Sequence, residues 1–139
     1  MTPPEATVQG QDGRGTEAPP AVSVCLTLSK RADFLKAAQA RRHGAAGFLL
    51  QARERRPDEA MPDAIRIGYT CSKKLGNAAT RNRAKRRLRE IARAVLPAHG
   101  RPGWDYVLVG RPEATVSRDF AEMKADLVRA LGRIHASRP

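Results

Sequence analysis

Residues 73–93 read K-K-L-G-N-A-A-T-R-N-R-A-K-R-R-L-R-E-I-A-R and set nine cations against one acid, Glu90. From Arg81 on, Ala84, Leu88, Ile91, Ala92 and Val95 recur with a period of about 3.6 residues, which gathers them on one face of a helix. Asn82, Lys85, Arg86, Arg89 and Arg93 lie about 140° around the same helix. The spacing predicts a helix over residues 81–96, stopped by Pro97, with one face turned to a core and the adjacent face almost wholly basic. A helix N-terminus carries partial positive charge and prefers acids, yet Arg81, Arg83, Lys85 and Arg86 crowd the first predicted turns. Thr80 is the predicted cap, and Arg83 three residues on excludes a capping box. Stability alone does not select this arrangement. Clustered guanidinium and ammonium groups beside free backbone N–H groups suit phosphate. Asn82 adds a side chain that both donates and accepts. The plainer alternative for this stretch is a solvated basic face that keeps the chain soluble.

The whole chain shares the bias. It has 139 residues, enough for one domain, a formal net charge of +12 and a pI near 11. Such a balance points to a polyanion, nucleic acid before an acidic membrane surface. There is no run of 18 apolar residues and no basic-then-apolar leader, so a cytoplasmic protein is expected. Cys25 and Cys71 are the only cysteines and read as free thiols in a reducing compartment. Neither has a second Cys or a His at metal-ligand spacing, so no metal site is expected.

Residues 1–22 are rich in Pro, Gly, Thr and Glu. Glu5, Asp12 and Glu17 outweigh Arg14 by two charges, so the remainder carries +14. Too little apolar surface is available there to offset ordering, and a disordered tail is expected, with residues 23–139 as one domain. Ser29 is the predicted cap of a helix over residues 30–42. Arg41, Arg42 and His43 would sit at its C-terminal end and Gly44 at C′. Residues 48–52 form a short apolar run that reads as a strand. Residues 53–63 are charged, contain Pro57 and Pro62, and read as a connector. In residues 64–71, Ile65, Ile67 and Tyr69 alternate with Arg66, Gly68 and Thr70, the pattern of a half-buried strand with a polar second face. Residues 72–80 form a loop. Its G-N-A-A is not a phosphate-binding Walker loop, because the Gly-Lys-Ser/Thr ending is missing. Residues 104–110, W-D-Y-V-L-V-G, read as a buried strand. Ser117 is the predicted cap of a last helix on which Phe120, Met123, Leu127, Ala130, Leu131 and Ile134 are core. The order helix, strand, strand, helix, strand, helix gives an α/β sandwich of one domain.

No catalytic constellation stands out. His43, His99 and His135 fall at predicted helix ends or in loops. Asp58, Glu59 and Asp63 lie in the connector, where solvation accounts for them. A two-metal nuclease needs several convergent carboxylates. These residues alone describe a basic binding module.

The central stretch, read from Ser72 to Glu90, closely resembles the Arg-Asn-Arg motif of the bacterial ribonuclease P protein component. Leu28-Ser29-Lys30-Arg31-Ala32-Asp33-Phe34 resembles the family's Leu-x-Lys-Arg-x-x-Phe opening. Ile65-Arg66-Ile67-Gly68 resembles its Arg-x-Gly strand, and residues 105–112 its closing strand with Arg-Pro. The resemblance spans residues 26–135.

It implies a protein subunit of the ribonucleoprotein that removes the 5′ leader of precursor tRNA. The catalyst would be the RNA subunit, which would also hold the Mg²⁺. The implied fold is α-β-β-β-α-β-α with a small mixed sheet and a left-handed β-α-β crossover, like ribosomal protein S5 domain 2, with a short extra strand near Ala45-Ala46. Carried over by position, Lys73, Lys74, Arg81, Asn82, Arg83, Lys85, Arg86 and Arg89 would face the catalytic RNA. Lys30, Phe34, Gln51 and Arg66 would meet the single-stranded leader in a cleft between the first helix and the sheet. Two positions depart from the family. Ala38 stands where a second aromatic is common, and Gln51 where a tyrosine is often found. Phe34 would stack on unpaired bases or pack in the core. The implied partners are ribonuclease P RNA, in a 1:1 complex, and precursor tRNA. A ribosomal or ribosome-assembly protein is the main alternative, followed by a protein-only nuclease and a membrane-surface protein.

Overall fold

The computed structural model describes residues 25–59 and 63–136. The expected tail, residues 1–22, lies outside them. In chain order the elements are β1 (Cys25–Thr27), α1 (Arg31–Ala38), β2 (Arg41–Gly44), β3 (Phe48–Glu54), β4 (Ile65–Thr70), a 3₁₀ turn (Lys73–Leu75), α2 (Ala78–His99), β5 (Trp104–Gly110), α3 (Ala114–Ser117) and α4 (Phe120–Ala136). The strands form one five-stranded mixed sheet in the order β1-β4-β5-β3-β2. β1, β4 and β5 run parallel, while β3 is antiparallel to both β5 and β2. β4, α2 and β5 therefore make the expected β-α-β unit between neighbouring strands.

Strand alternation divides the sheet into two faces. Phe48, Leu50 and Ala52 of β3, Ile65 and Ile67 of β4, and Trp104, Tyr106 and Leu108 of β5 join Leu88, Ile91, Leu96, Met123, Leu127 and Leu131 in the main core. That core fills the space between the sheet and the apolar stripes of α2 and α4. On the opposite face a smaller hydrophobic cluster joins Leu28, Ala37 and Val107, with Phe34 and Val109 packed beside them. Among the described residues, α1 is the helix that packs on this face.

Several element boundaries differ from the sequence expectation, and the strand expected over 48–52 runs on to Glu54. The first helix ends at Ala38, not at Arg42. Its N-cap is Lys30, with no side-chain cap bond, and Ser29 plays no part. Past Ala38 the predicted helix offers only Ala40 as an apolar residue, and it is exposed. Arg41–Gly44 instead pairs with β3 as an edge strand, supplying the short strand expected nearby at Ala45-Ala46. Arg41 turns inward, donates to the Ile134 carbonyl at 2.8 Å and lies 5.6 Å over the Trp104 ring. The basic helix begins one turn early, at Ala78, because Asn77 rather than Thr80 is the cap. The Asn77 carboxamide oxygen accepts from the Thr80 N–H at 2.9 Å. It also runs through Pro97 to His99, since Val95 and Leu96 still have a core to bury against. Finally, Ser117 closes α3, and Asp119 leads into α4 by accepting from the Glu122 N–H at 3.3 Å. β1 was not anticipated: three residues give too short a pattern to read.

Candidate nucleic-acid interface

The basic surface is built from a turn and a helix held by buried anchors. Leu75 is buried and pins the turn that carries the exposed Lys73 and Lys74. The Ser72 hydroxyl accepts from the Lys74 N–H at 3.3 Å. Gly76, at φ 132°, then reverses the chain into the Asn77 cap, a conformation a side chain would strain. Along α2, Ala84, Leu88, Ile91, Ala92, Val95 and Leu96 are buried. Asn82, Arg83, Arg86 and Arg89 are exposed, and Arg81 and Lys85 are half-buried. The eight residues assigned to catalytic-RNA contact thus lie on one turn and one helix, mostly open to solvent. With the helix starting at Ala78, Arg81 closes its first turn and Arg83 and Lys85 fall in the second. The cations oppose the helix dipole less than the sequence reading supposed, though the first turn still has no acid. Arg89 lies 5.5 Å over the Tyr69 ring, which steadies its guanidinium at the surface.

Arg87 belongs to the fold. Its Nε donates to the Thr115 carbonyl at 2.9 Å, a second N–H donates to the Arg118 carbonyl, and its guanidinium lies 5.8 Å from the Phe120 ring centre. It ties α2 to the α3–α4 connection.

On the other side of the sheet, α1 sets Phe34 over Gly68 of β4. A Cβ at Gly68 would stand 2.5 Å from that ring, so only glycine lets α1 lie this close. Phe34 is half-buried and leaves part of its ring open. Gly68, Val107 of β5 and Gln51 of β3 are register partners and form one row across the floor. Gln51 is buried, and Lys30 is exposed at the head of α1. The structure therefore brings Phe34 and Gln51 to the α1 face of the sheet, Phe34 half-buried and Gln51 buried. Arg66 is on that face too, but its guanidinium is engaged. Nε and one Nη each donate to Asp105 at 2.7 Å, and Asp33 lies 3.5 Å away. The Asp105 contact, above all, raises the Arg66 pKa.

Asp105 was read as part of an apolar strand and is instead a fully buried carboxylate. Besides Arg66 it accepts from Arg55 at 2.5 Å and has Arg53 at 3.6 Å. Arg55, itself buried, also donates to the carbonyls of Trp104 and Ala64. Arg53 holds Glu59 as well, and that hydrogen bond keeps the Glu59 carboxyl down at about 2. Sequence reasoning missed this cluster because its members are far apart in the chain, Arg55 and Asp105 by 50 residues. The available signal was an acid inside an apolar strand, which needs a cation when buried. His135 falls at the end of α4, as its place in the sequence suggested. It is buried, shares a hydrogen bond of 2.7 Å between Nε2 and the Tyr106 hydroxyl, and is pushed down to about 4, chiefly by burial. Burial raises the thiols of both Cys25 and Cys71.

The family model for ribonuclease P matches residues 23–135. The chain belongs to the ribonuclease P protein family. It is 61% identical over 126 residues to the ribonuclease P protein component of Ruegeria pomeroyi, covering 87% of this chain and 99% of that one. Identity to the protein component of Paramagnetospirillum magneticum is 48% over 110 residues, 78% of this chain and 82% of the relative. Among solved structures, the RNase P protein from Thermotoga maritima matches with a TM-score of 0.63 at 28% identity, over 78% of this chain and 96% of that one. The Staphylococcus aureus protein matches with a TM-score of 0.60 at 25% identity, over 76% and 91%. The mixed sheet with α2 in its β-α-β unit is thus the fold of ribonuclease P proteins, and the ribosomal alternative is not favoured. Among the described residues no helix is long and apolar enough to cross a membrane.

Proposed function

We propose that this chain serves the ribonuclease P ribonucleoprotein by docking two polyanions on two faces. The α2 face, with Lys73 and Lys74, holds the catalytic RNA. The α1 side of the sheet, where the half-buried Phe34 leaves part of its surface exposed, holds the single-stranded 5′ leader of precursor tRNA. The observation that carries this reading is the separation of the two surfaces. The exposed cations of the Arg-Asn-Arg stretch project from one side of the sheet, and Phe34 over Gly68 lies on the other. Phosphate-binding cations and a stacking ring on opposite faces suit duplex-rich and unpaired RNA respectively. Repulsion between the two RNAs falls when a domain of this charge lies between them.

In this reading hydrolysis belongs to the RNA subunit, in a 1:1 complex in the cytoplasm, and Mg²⁺ sits on RNA. Among the described residues no group of three or more His, Cys, Asp or Glu is placed to hold an ion, so no step is assigned to a protein-bound metal. The test is cleavage of a 5′-extended precursor tRNA at limiting Mg²⁺, with the ribonuclease P RNA and this chain together and each alone. Strong cleavage only by the mixture is expected. Cleavage by the protein alone would overturn the division of labour.

A further inference from the structure

A recess of about 230 Å³ opens where α2 meets the edge of the sheet. β1 supplies Thr27, β4 supplies Ile67 and Tyr69, and α2 supplies Arg89, Arg93 and Pro97. Thr27 and Ile67 are register partners, and Tyr69 stands two residues on, so strand alternation turns all three toward α2. Arg89 and Arg93 are exposed, and neither makes an ion pair among the described residues. They continue the three- and four-residue spacing of Asn82 and Arg86 along one stripe of the helix. The recess is therefore the end of the surface proposed for the catalytic RNA. That reading uses Arg89 and leaves Thr27, Tyr69 and Arg93 without a role.

Its walls suit a nucleobase. A cavity of about 150 Å³ accepts a benzene ring, so this one has room for a planar base. Ile67 and Pro97 are apolar, and the Arg89 guanidinium lies 5.5 Å over the Tyr69 ring. Aromatic rings and guanidinium planes both stack on unpaired bases. Polar groups are present for a base edge. Tyr69 is half-buried, and its hydroxyl has no hydrogen-bond partner among the described residues. Burial raises its pKa, so the phenol keeps its proton and can donate. Pro97 has no N–H, which leaves the Arg93 carbonyl without its helical donor. Two exposed guanidiniums one turn apart suit the phosphate of the same nucleotide. A duplex keeps its bases stacked and paired, whereas a loop or bulge can splay one out. We infer that this recess seats one unpaired base of the catalytic RNA against Tyr69, with its phosphate on Arg93. The inference rests on the α2 reading and adds a base contact to a surface otherwise read as binding phosphates.

The test reads base reactivity and affinity in the reconstituted ribonucleoprotein. Ribonuclease P RNA is treated with dimethyl sulfate and with a carbodiimide, with and without the protein, to report the pairing edges of all four bases. Wild type is expected to shield a small set of unpaired bases with no tRNA present. Thr27→Trp fills the recess from an exposed strand position and removes no charge. With its fold checked by a melting curve, it should return one of those bases to full reactivity. It should also weaken binding of the catalytic RNA about tenfold and keep the salt slope. Arg93→Ala should expose the same base and lower the slope by about 1, and it decides the question if Thr27→Trp does not fold. Wild-type affinity and protection in both variants would overturn the recess as a site. Protection that appears only when precursor tRNA is added would put a substrate base there and overturn the assignment to the catalytic RNA. The α2 reading is judged apart, by Arg83→Ala with Arg86→Ala, neither of which lines the recess. Unchanged affinity in that pair sinks the α2 reading and the recess with it. A loss in that pair beside inert Thr27→Trp and Arg93→Ala sinks the recess alone.

Discussion

Arg55 and Arg86 are the same residue type put to opposite uses. Arg55 is buried, donates to Asp105 and to two carbonyls, and joins β5 to the chain between β3 and β4. Arg86 is exposed on α2, its charge unpaired among the described residues. Arg66, Arg87 and Arg118 belong with Arg55. Each is tied to a carboxylate or to carbonyls, Arg118 by way of the buried Asp126 at 2.7 Å. Arg83 and Arg89 belong with Arg86. The high net charge therefore overstates what is available to RNA, since a share of the guanidiniums is neutralised inside the fold. A buried guanidinium needs its carboxylate, and an exposed one is better without.

The comparison breaks most visibly at Asp105. Asp105→Ala leaves Arg55 and Arg66 without their shared acid in a dry site, and is expected to cost about 3–5 kcal/mol. That is a large part of the stability of a domain this size. Urea unfolding of the free protein measures it. A loss below about 1 kcal/mol would mean that water reaches the cluster. On the exposed side, Arg86→Ala with Arg89→Ala should leave the urea midpoint nearly where it was. Affinity for the catalytic RNA should fall by about 2–3 kcal/mol, with a shallower dependence on salt. An unchanged salt slope would remove this face from the contact.

These two sets were unequally legible in the sequence. The exposed set was readable because it lies on one helix, where a period of about 3.6 sorts the apolar from the basic positions. The strands around Ile65 and Tyr106 were readable from alternation and from an apolar run. The buried set was not, because pairing of Arg55 and Arg66 with Asp105 depends on which strands lie side by side, and no local pattern reports that. Arg41-Arg42-His43-Gly44 was misread for a related reason. Cations followed by glycine suit a helix C-terminus, but tertiary pairing with β3 and the stack on Trp104 made an edge strand of them. The cap was missed by three residues because Asn77 and Thr80 are both good N-caps, and only the Asn77 oxygen meets a free N–H.

Phe34 sharpens the comparison by asking what binding remains when charge is left alone. Phe34→Ala keeps every cation and removes the ring over Gly68. It should weaken precursor tRNA by about 1–2 kcal/mol and mature tRNA much less, in the assembled ribonucleoprotein. Equal losses on both RNAs would return Phe34 to the small core beneath α1, with Leu28 and Val107 as its only business.

His135 offers the smallest effect at neutral pH and the most direct test of the rule for buried cations. It sits beside Tyr106, Trp104, Arg41 and Arg101 with no carboxylate against it among the described residues. Protonation would create a buried cation of the unpaired kind. Its folded pKa is about 4, below the ordinary 6.5 of the unfolded chain. The unfolded chain therefore binds the extra proton between those values. The stability this neutral imidazole contributes is complete above about pH 6.5 and is lost as pH falls toward 4. His135→Gln keeps an acceptor for the Tyr106 hydroxyl and cannot titrate. It should cost under about 1 kcal/mol at pH 7 and should flatten the decline between pH 6.5 and 4. Glu59 does not confuse the reading, because its stabilisation fades only as pH falls from its ordinary 4.5 toward 2. The difference between the wild-type and variant curves isolates the imidazole. If the two curves run parallel through that window, His135 accepts its proton in place, and the interior tolerates a cation that no acid balances.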